Sequence, residues 1–301
     1  MFKKILVPLD GSELSEQALM YAEELAVING SEITLVYVCE PEEDEYRHMH
    51  QLYIEEIAER IVNNRKTYHP GEASTVGPVN TKILDGGPAA EIIDYAERND
   101  ISLICLVSHG RSGIVPWSMG STAFRVIQRT KKPVLLIRAS ESDVKINRRD
   151  IFSKILVPLD GSEDGEAALP HVKDLTSKIK SDVILYQVVT PGKHVHTIGG
   201  LDYVPFPEPE LEHLEEEARK YLKNTRKNLA DTMATVSYEV RTGFAAQGII
   251  EFADEIKAGL VAISTHGRSG IRRWISGSVA YKVIHACNAP VLLVRAPEVD
   301  E

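Results

Sequence analysis

Two stretches of the chain share glycines, hydroxyls and cations at matched spacing: SHGRSGIVPWSMGST at 108–122 and STHGRSGIRRWISGS at 264–278. In each, a Ser/Thr-His-Gly follows an apolar run, nine residues intervene, and a Gly-Ser opens a helical stretch. The amides at the start of a helix lack intrahelical acceptors and sit at its positive end, which suits an anion. Gly120 and Gly277 let backbone approach phosphate oxygens with no Cβ in the way, and Ser121 and Ser278 add a hydroxyl. Gly110 and Gly267 free the loop to curl over a ribose or a phosphate. The plainer reading is a turn glycine followed by an ordinary serine N-cap. Recurrence of the same nine-residue spacing after the same strand favours the anion-binding reading. Arg111 and Arg268, one residue past the glycine, suit either a phosphate or a surface carboxylate. His109 and His266 suit either a ligand contact or a hydrogen bond that orients the loop.

The loops are positioned by a repeated plan. KILVPLDGSE occurs at 4–13 and again at 154–163, and KKPVLLIRA at 131–139 answers NAPVLLVRA at 288–296. The offset is 150 residues at the first landmark and 157 at the later ones, so the second half carries seven extra residues. Repeats of this length are domains, expected at 1–140 and 151–297, joined by a polar linker at 141–150. Within each half apolar strands alternate with amphipathic helices, the first with Leu14, Ala18, Tyr21, Ala22 and Leu25 on one face. Long helices are expected at about 43–66 and 209–231, and at the loop ends at about 120–130 and 277–286. This alternation predicts an α/β fold of two tandem, doubly wound, five-stranded parallel sheets. In such sheets ligands sit beyond the strands' carboxyl ends where strand order reverses, between strands one and four. The third strands, VNTKILDG and TVSYEVRTG, alternate as exposed edges do. The last strands are apolar throughout, although they too should be edges. The two halves are therefore expected to pair through them as an intramolecular pseudo-dimer. The Gly- and Pro-rich segment 191–210 excludes a helix and suits a long surface loop better than a lid.

Other chemistries lack their patterns. There is no GxxxxGK[ST], no GxGxxG after the first strand, no HxGH and no SGGxDS. The His-x-His pairs 48/50 and 194/196 lie in polar segments without cysteine and read as solvated side chains. A net charge of −10 argues against non-specific nucleic-acid or anionic-membrane partners. No apolar run of about eighteen residues suggests a membrane span. The three cysteines, 39, 105 and 287, have no metal or disulfide spacing and read as buried residues of a reducing compartment. With no signal-peptide pattern at the start, a cytoplasmic location is expected.

In combination, the ValProLeuAspGlySer starts, the GlyGlyProAlaAlaGluIleIle helix entry at 86–93, the glycine loops and the ProValLeuLeu strands resemble the universal stress protein family, present here in tandem. The resemblance covers nearly the whole chain and implies a Rossmann-like, adenine nucleotide alpha hydrolase-like fold that binds ATP, AMP or ADP, with Mg²⁺ carried on the phosphates. The family's loop is Gly-x-x-Gly, nine residues, then Gly-Ser/Thr. Here Val107 and Ser264 stand at the first glycine. Ser264 still leaves room for a ribose, whereas Val107 is bulkier. Inside the spacer Pro116 and Met119 face Arg273 and Ser276, so the second half keeps more polar groups. Both sites are expected to bind, the second better. Carried over, Asp10 and Asp160 contact the adenosine, Pro8 and Pro158 line the adenine, and Val38 and Val188 lie where backbone reads its edge. Taken alone, the aspartates also fit a turn or helix cap and the valines a core. No acid or base other than histidine lies in the loops, so a nucleotide-dependent stress regulator is expected rather than an efficient enzyme. The rivals are a slow ATPase in which Asp10 or Asp160 holds Mg²⁺, and a scaffold in which only the second domain binds nucleotide. A further homodimer is left open.

Overall fold

The computed structural model describes residues 1–71, 76–110, 119–139, 148, 151–197, 200–267 and 277–296. The first half runs β1 (Lys4–Leu9), α1 (Glu13–Asn29), β2 (Glu32–Cys39), α2 (Arg47–Tyr68), β3 (Val79–Asp85), α3 (Pro88–Arg98), β4 (Leu103–Val107), α4 (Ser121–Arg129) and β5 (Val134–Ile137). The second runs β6 (Lys154–Pro158), α5 (Leu169–Thr176), β7 (Asp182–Val189), a hairpin of β8 (Gly192–Thr197) and β9 (Gly200–Pro205), α6 (Glu208–Thr225), β10 (Thr235–Thr242), α7 (Ala245–Glu255), β11 (Leu260–Ser264), α8 (Ser278–Ala286) and β12 (Val291–Val294).

Burial explains the strands. Ile5, Val7 and Leu9 of β1 join one core layer beneath α1 and α2, while Leu6 joins the other beneath α3 and α4. Successive side chains leave a strand on opposite faces, so a strand covered on both sides reads as a continuous apolar run. The helix α1 starts where the Ser12 hydroxyl accepts the Ser15 amide at 3.1 Å and ends at Gly30, left-handed with φ 63°. Its second-half counterpart is broken into a 3₁₀ turn (Asp164–Ala168) followed by the short α5. Pro170 has no N–H to donate to Glu166. The three cysteines are all buried thiols outside any disulfide.

Ten of the twelve described strands form one sheet in the order β10-β7-β6-β11-β12-β5-β4-β1-β2-β3, and β8 and β9 form a second. Within each half all pairings of this sheet are parallel, with β3 and β10 at the outer edges, as their alternating patterns require. The order reverses between β1 and β4 and again between β6 and β11. The two apolar last strands cover each other. β5 and β12 pair antiparallel, Leu135 opposite Leu292, with Val134–Leu293 and Leu136–Val291 on either side. Because this single pairing is antiparallel, the strands' carboxyl ends, and any crevices beyond them, face opposite ends of the molecule.

Equivalent positions make equivalent contacts across the seam. Arg138 donates to the His285 carbonyl at 2.8 Å, and Arg295, its counterpart, donates to the carbonyl of Gln128. Phe124 meets its own counterpart Tyr281 edge-on, ring centroids 6.3 Å apart. The halves are thus arranged as an isologous dimer within one chain. Phe2 stacks on His171 at 5.2 Å, and Lys178 donates to the Asn29 side chain at 2.7 Å. Arg148 is the one described residue between 140 and 150. Its guanidinium reaches the buried carboxylates of Glu23 (2.8 Å) and Glu24 (3.3 Å) and lies over the Tyr68 ring at 4.7 Å. Burial pushes Glu23 above the usual carboxylate range, against the pull of Arg148.

Two expectations are corrected. The segment 191–210 is not a structureless loop: β8 and β9 pair antiparallel from Gly192–Pro205 to Thr197–Gly200. Gly192, Gly200 and Pro205 all take part in this ladder, while Pro207 and Pro209 fall at the start of α6, where a missing N–H costs no helix bond. His50 is half-buried rather than fully solvated; it stacks on Tyr37 with centroids 4.1 Å apart.

Candidate functional site

Each half has a crevice at its point of strand-order reversal, of about 320 Å³ in the first half and about 250 Å³ in the second. The loop after β1 supplies Pro8 and Asp10 to the first crevice, and the loop after β6 supplies Pro158 and Asp160 to the second. The neighbouring strand ends bring Val38 and Val188. From β4 come Val107 and, just beyond, Gly110; from β11 come Ser264 and Gly267. The helix starts complete the ring with Gly120 and Ser121 in one crevice and Gly277 and Ser278 in the other. Of the residues singled out from sequence, Arg268 lies outside the described residues, as do Arg111, Pro116, Arg273 and Ser276.

The glycines are fixed by close approach. A Cβ on Gly110 would run into the Asp10 carboxylate, and one on Gly267 into that of Asp160. A Cβ on Gly120 would stand 3.1 Å from the Ser108 carbonyl oxygen, and one on Gly277 2.8 Å from that of Thr265. Each aspartate is also a turn residue, the plainer reading of it. Asp10 Oδ1 accepts the Ser12 amide (3.1 Å) and hydroxyl (2.6 Å), and Asp160 Oδ1 accepts those of Ser162 (3.0 and 2.6 Å). The other oxygen, Oδ2, is the atom nearest the loop glycine. One carboxylate therefore ties the end of β1 to the loop after β4.

The helices α4 and α8 start at glycines with no side chain capping them, and their first residues line the crevices. The Gly120 amide itself donates to the Ser108 carbonyl at 2.8 Å. The histidines are buried and held at Nδ1, His109 by the Ser108 hydroxyl (3.1 Å) and His266 by that of Thr265 (2.9 Å). These bonds orient the loop from within. Burial, then the nearby Arg138 cation, lowers the pKa of His109 and favours the neutral ring.

Some lining residues carry no motif. Ile92 and Ile249 come from α3 and α7, and Leu106 and Ile263 from the strands, as apolar walls. Tyr186 occurs only in the second crevice, where the first half has Val36. Its ring stacks on Phe252 at 4.6 Å, its hydroxyl donates to the Gly248 carbonyl at 3.3 Å, and burial pushes its pKa up to about 12. Glu40 stands at the first crevice alone. Among the described residues no cluster of three His, Cys, Asp or Glu suits a metal ion, and no helix is long and apolar enough to cross a membrane.

This is a fused pair of doubly wound α/β domains, each with an uncapped helix start at its switch point. The profile of the universal stress protein family matches residues 1–138 and again 152–295, and the chain belongs to that family as a tandem member. It is 32% identical over 152 residues to a universal stress protein of Methanocaldococcus jannaschii, a match that spans 50% of this chain and 87% of that one. A universal stress protein of Mycolicibacterium smegmatis matches at 23% identity over 308 residues, 97% of this chain and 96% of that one. The crystal structure of a universal stress protein from Archaeoglobus fulgidus superposes with a TM-score of 0.71 at 19% identity, covering 98% of this chain and 99% of that one. That likeness extends to the tandem fold.

Proposed function

We propose that each half binds an adenine nucleotide, ATP or its AMP and ADP forms, and that the chain acts as a nucleotide-dependent regulator in the stress response. The observation that carries this reading is the doubled constellation. In both crevices a carboxylate occupies the space a loop glycine leaves open, opposite an uncapped helix start. The base lies against Pro8 and Val38, or Pro158 and Val188, and the ribose near Asp10 or Asp160. The phosphates meet the amides of α4 or α8, where a helix start stabilises negative charge. Mg²⁺ arrives on the phosphates and neutralises part of their charge. The domain limits at 1–140 and 151–297 belong to the same reading.

Isothermal titration of the purified chain with Mg-ATP tests it, together with mass spectrometry of any co-purifying nucleotide. Two nucleotides per chain are expected, falling to one in Gly277→Val. No retention at millimolar ATP would sink the proposal. One nucleotide per chain, lost in Gly277→Val, would assign binding to the second half alone; Val107 and Glu40 at the first crevice are what favour that variant. Hydrolysis abolished by Asp160→Ala would make the protein a slow ATPase instead.

A further inference from the structure

The second half's extra length builds a rim that the first half lacks. β7 ends one residue beyond Val188 of the crevice, and the chain turns at once into the hairpin. Gly192 pairs with Pro205 at the hairpin's base, and the Phe206 amide closes it on the Pro191 carbonyl at 2.9 Å. A Cβ on Gly192 would stand 2.8 Å from Cζ of Tyr203, so the tyrosine ring folds over that base, on the crevice end of β7. From the other side the Gly243 amide donates to the Val189 carbonyl at 2.9 Å, which sets Phe244 beside the same strand end. The next residue, Ala245, lines the crevice.

The Tyr203 and Phe244 rings lie 6.5 Å apart, inclined at 50°. Phe244 is 59% exposed and Tyr203 39%, an unusual display for two large aromatic side chains held together. In the first half Gly87 stands in place of Phe244, with open space around it, and the connection from β2 carries no hairpin. The aromatic pair therefore stands one residue from Ala245 of the second crevice and has no counterpart beside the first.

Resting on the nucleotide reading above, we infer that Tyr203 and Phe244 form the outer wall of the second crevice's base site. Their rings cover the exposed face of a purine whose inner face lies on Val188 and Pro158. An aromatic ring offers a planar base a large apolar contact at little cost in side-chain entropy, and stacking tolerates any base with a π face. The wall recognises the base and leaves the phosphate grip untouched. It makes the second site more selective for nucleotides over base-free polyphosphates than the first, whose base rests on Pro8 and Val38 with no aromatic cover.

Calorimetric titration of the full chain with Mg-ATP and, separately, with inorganic tripolyphosphate tests this in Phe244→Ala, Tyr203→Ala and Phe244→Trp. The alanine variants should weaken one of the two ATP-binding steps by about tenfold, the loss of one stacked ring, and leave the other step unchanged. Tripolyphosphate binding should be unaltered, and Phe244→Trp should retain ATP. Unchanged ATP affinity in both alanine variants would overturn the inference, as would an equal loss for tripolyphosphate. Conversion of a dimer to a monomer without loss of ATP affinity would give the rim to a second copy of the chain and overturn it too. If the unsubstituted chain binds no ATP, the nucleotide reading falls and the wall with it; if it binds and the variants match it, the wall alone falls.

Discussion

Gly110 and Gly267 are held to glycine by a neighbouring carboxylate rather than by backbone torsion. Adding one methyl at Gly267 must push Asp160 away from the loop, and strained insertions of this kind cost about 1–3 kcal/mol. Gly267→Ala is expected to lose nucleotide binding in the second half and to lower stability by that amount in urea titration. Asp160→Ala combined with Gly267→Ala removes the collision, so stability should recover while binding does not; the double-mutant cycle reads the coupling. A double variant as unstable as the single would mean that the strain lies elsewhere. At this scale the sequence was most legible where a residue type has few uses. Repeated glycines and aspartates at strand ends announce themselves, and the switch-point rule brings them together. Tyr186 was not legible, because an aromatic residue in a β-rich run reads as core until the neighbouring helix is seen to leave space beside it. The histidines were ambiguous for a similar reason: only the preceding hydroxyl shows that their Nδ1 atoms face into the loop.

Elements were legible in proportion to their burial. Parallel strands covered on both faces can only be continuous apolar runs, so every central strand could be placed from its composition. The hairpin could not, since composition alone scores glycine and proline as loop, whereas Gly192, Gly200 and Pro205 pair within its ladder. The contrast between α1 and the broken α5 is likewise positional, one proline against an otherwise shared plan. The start of α1 carries a test. Ser12 both caps the helix and donates to Asp10. Ser12→Ala should cost about 1 kcal/mol, the usual worth of an N-cap. It should also weaken ATP binding in the first half, because Asp10 loses the hydroxyl that steadies it. Differential scanning calorimetry and titration check the two effects; a stability loss with intact affinity would show that Asp10 is steadied sufficiently by the Ser12 amide alone.

For the whole molecule, an edge strand with no polar face had to be covered, and the companion half was the available cover. What composition does not carry is how far the halves interlock beyond that seam: the Phe2–His171 stack, the Lys178–Asn29 bond and the Arg148 tie to α1. His171 supplies a pH test. Burial, reinforced by the nearby amino-terminal charge, lowers its pKa from 6.5 to about 4, so the folded protein holds the ring neutral. Between these values the unfolded chain takes up a proton that the folded one refuses. Stability is fully present above pH 6.5 and declines as pH falls towards 4, by an amount on the order of 3 kcal/mol from this one group. His171→Gln should flatten that part of the profile in urea denaturation measured from pH 7 to 4; an unchanged slope relative to the parent chain would refute the assignment.

The mirrored bonds of Arg138 and Arg295 have a consequence for how such a protein can change. In a dimer of identical chains every substitution appears twice, once in each site, and no site can be altered alone. Fusion removes that obligation. Along the seam the two copies still answer one another, arginine for arginine and leucine for leucine, because each needs its opposite number. Away from it they have parted: valine against tyrosine on the crevice floor, glycine against phenylalanine at the rim. A single gene thus keeps a symmetric frame while its two pockets inherit separately, so the lining of one can change without disturbing the other.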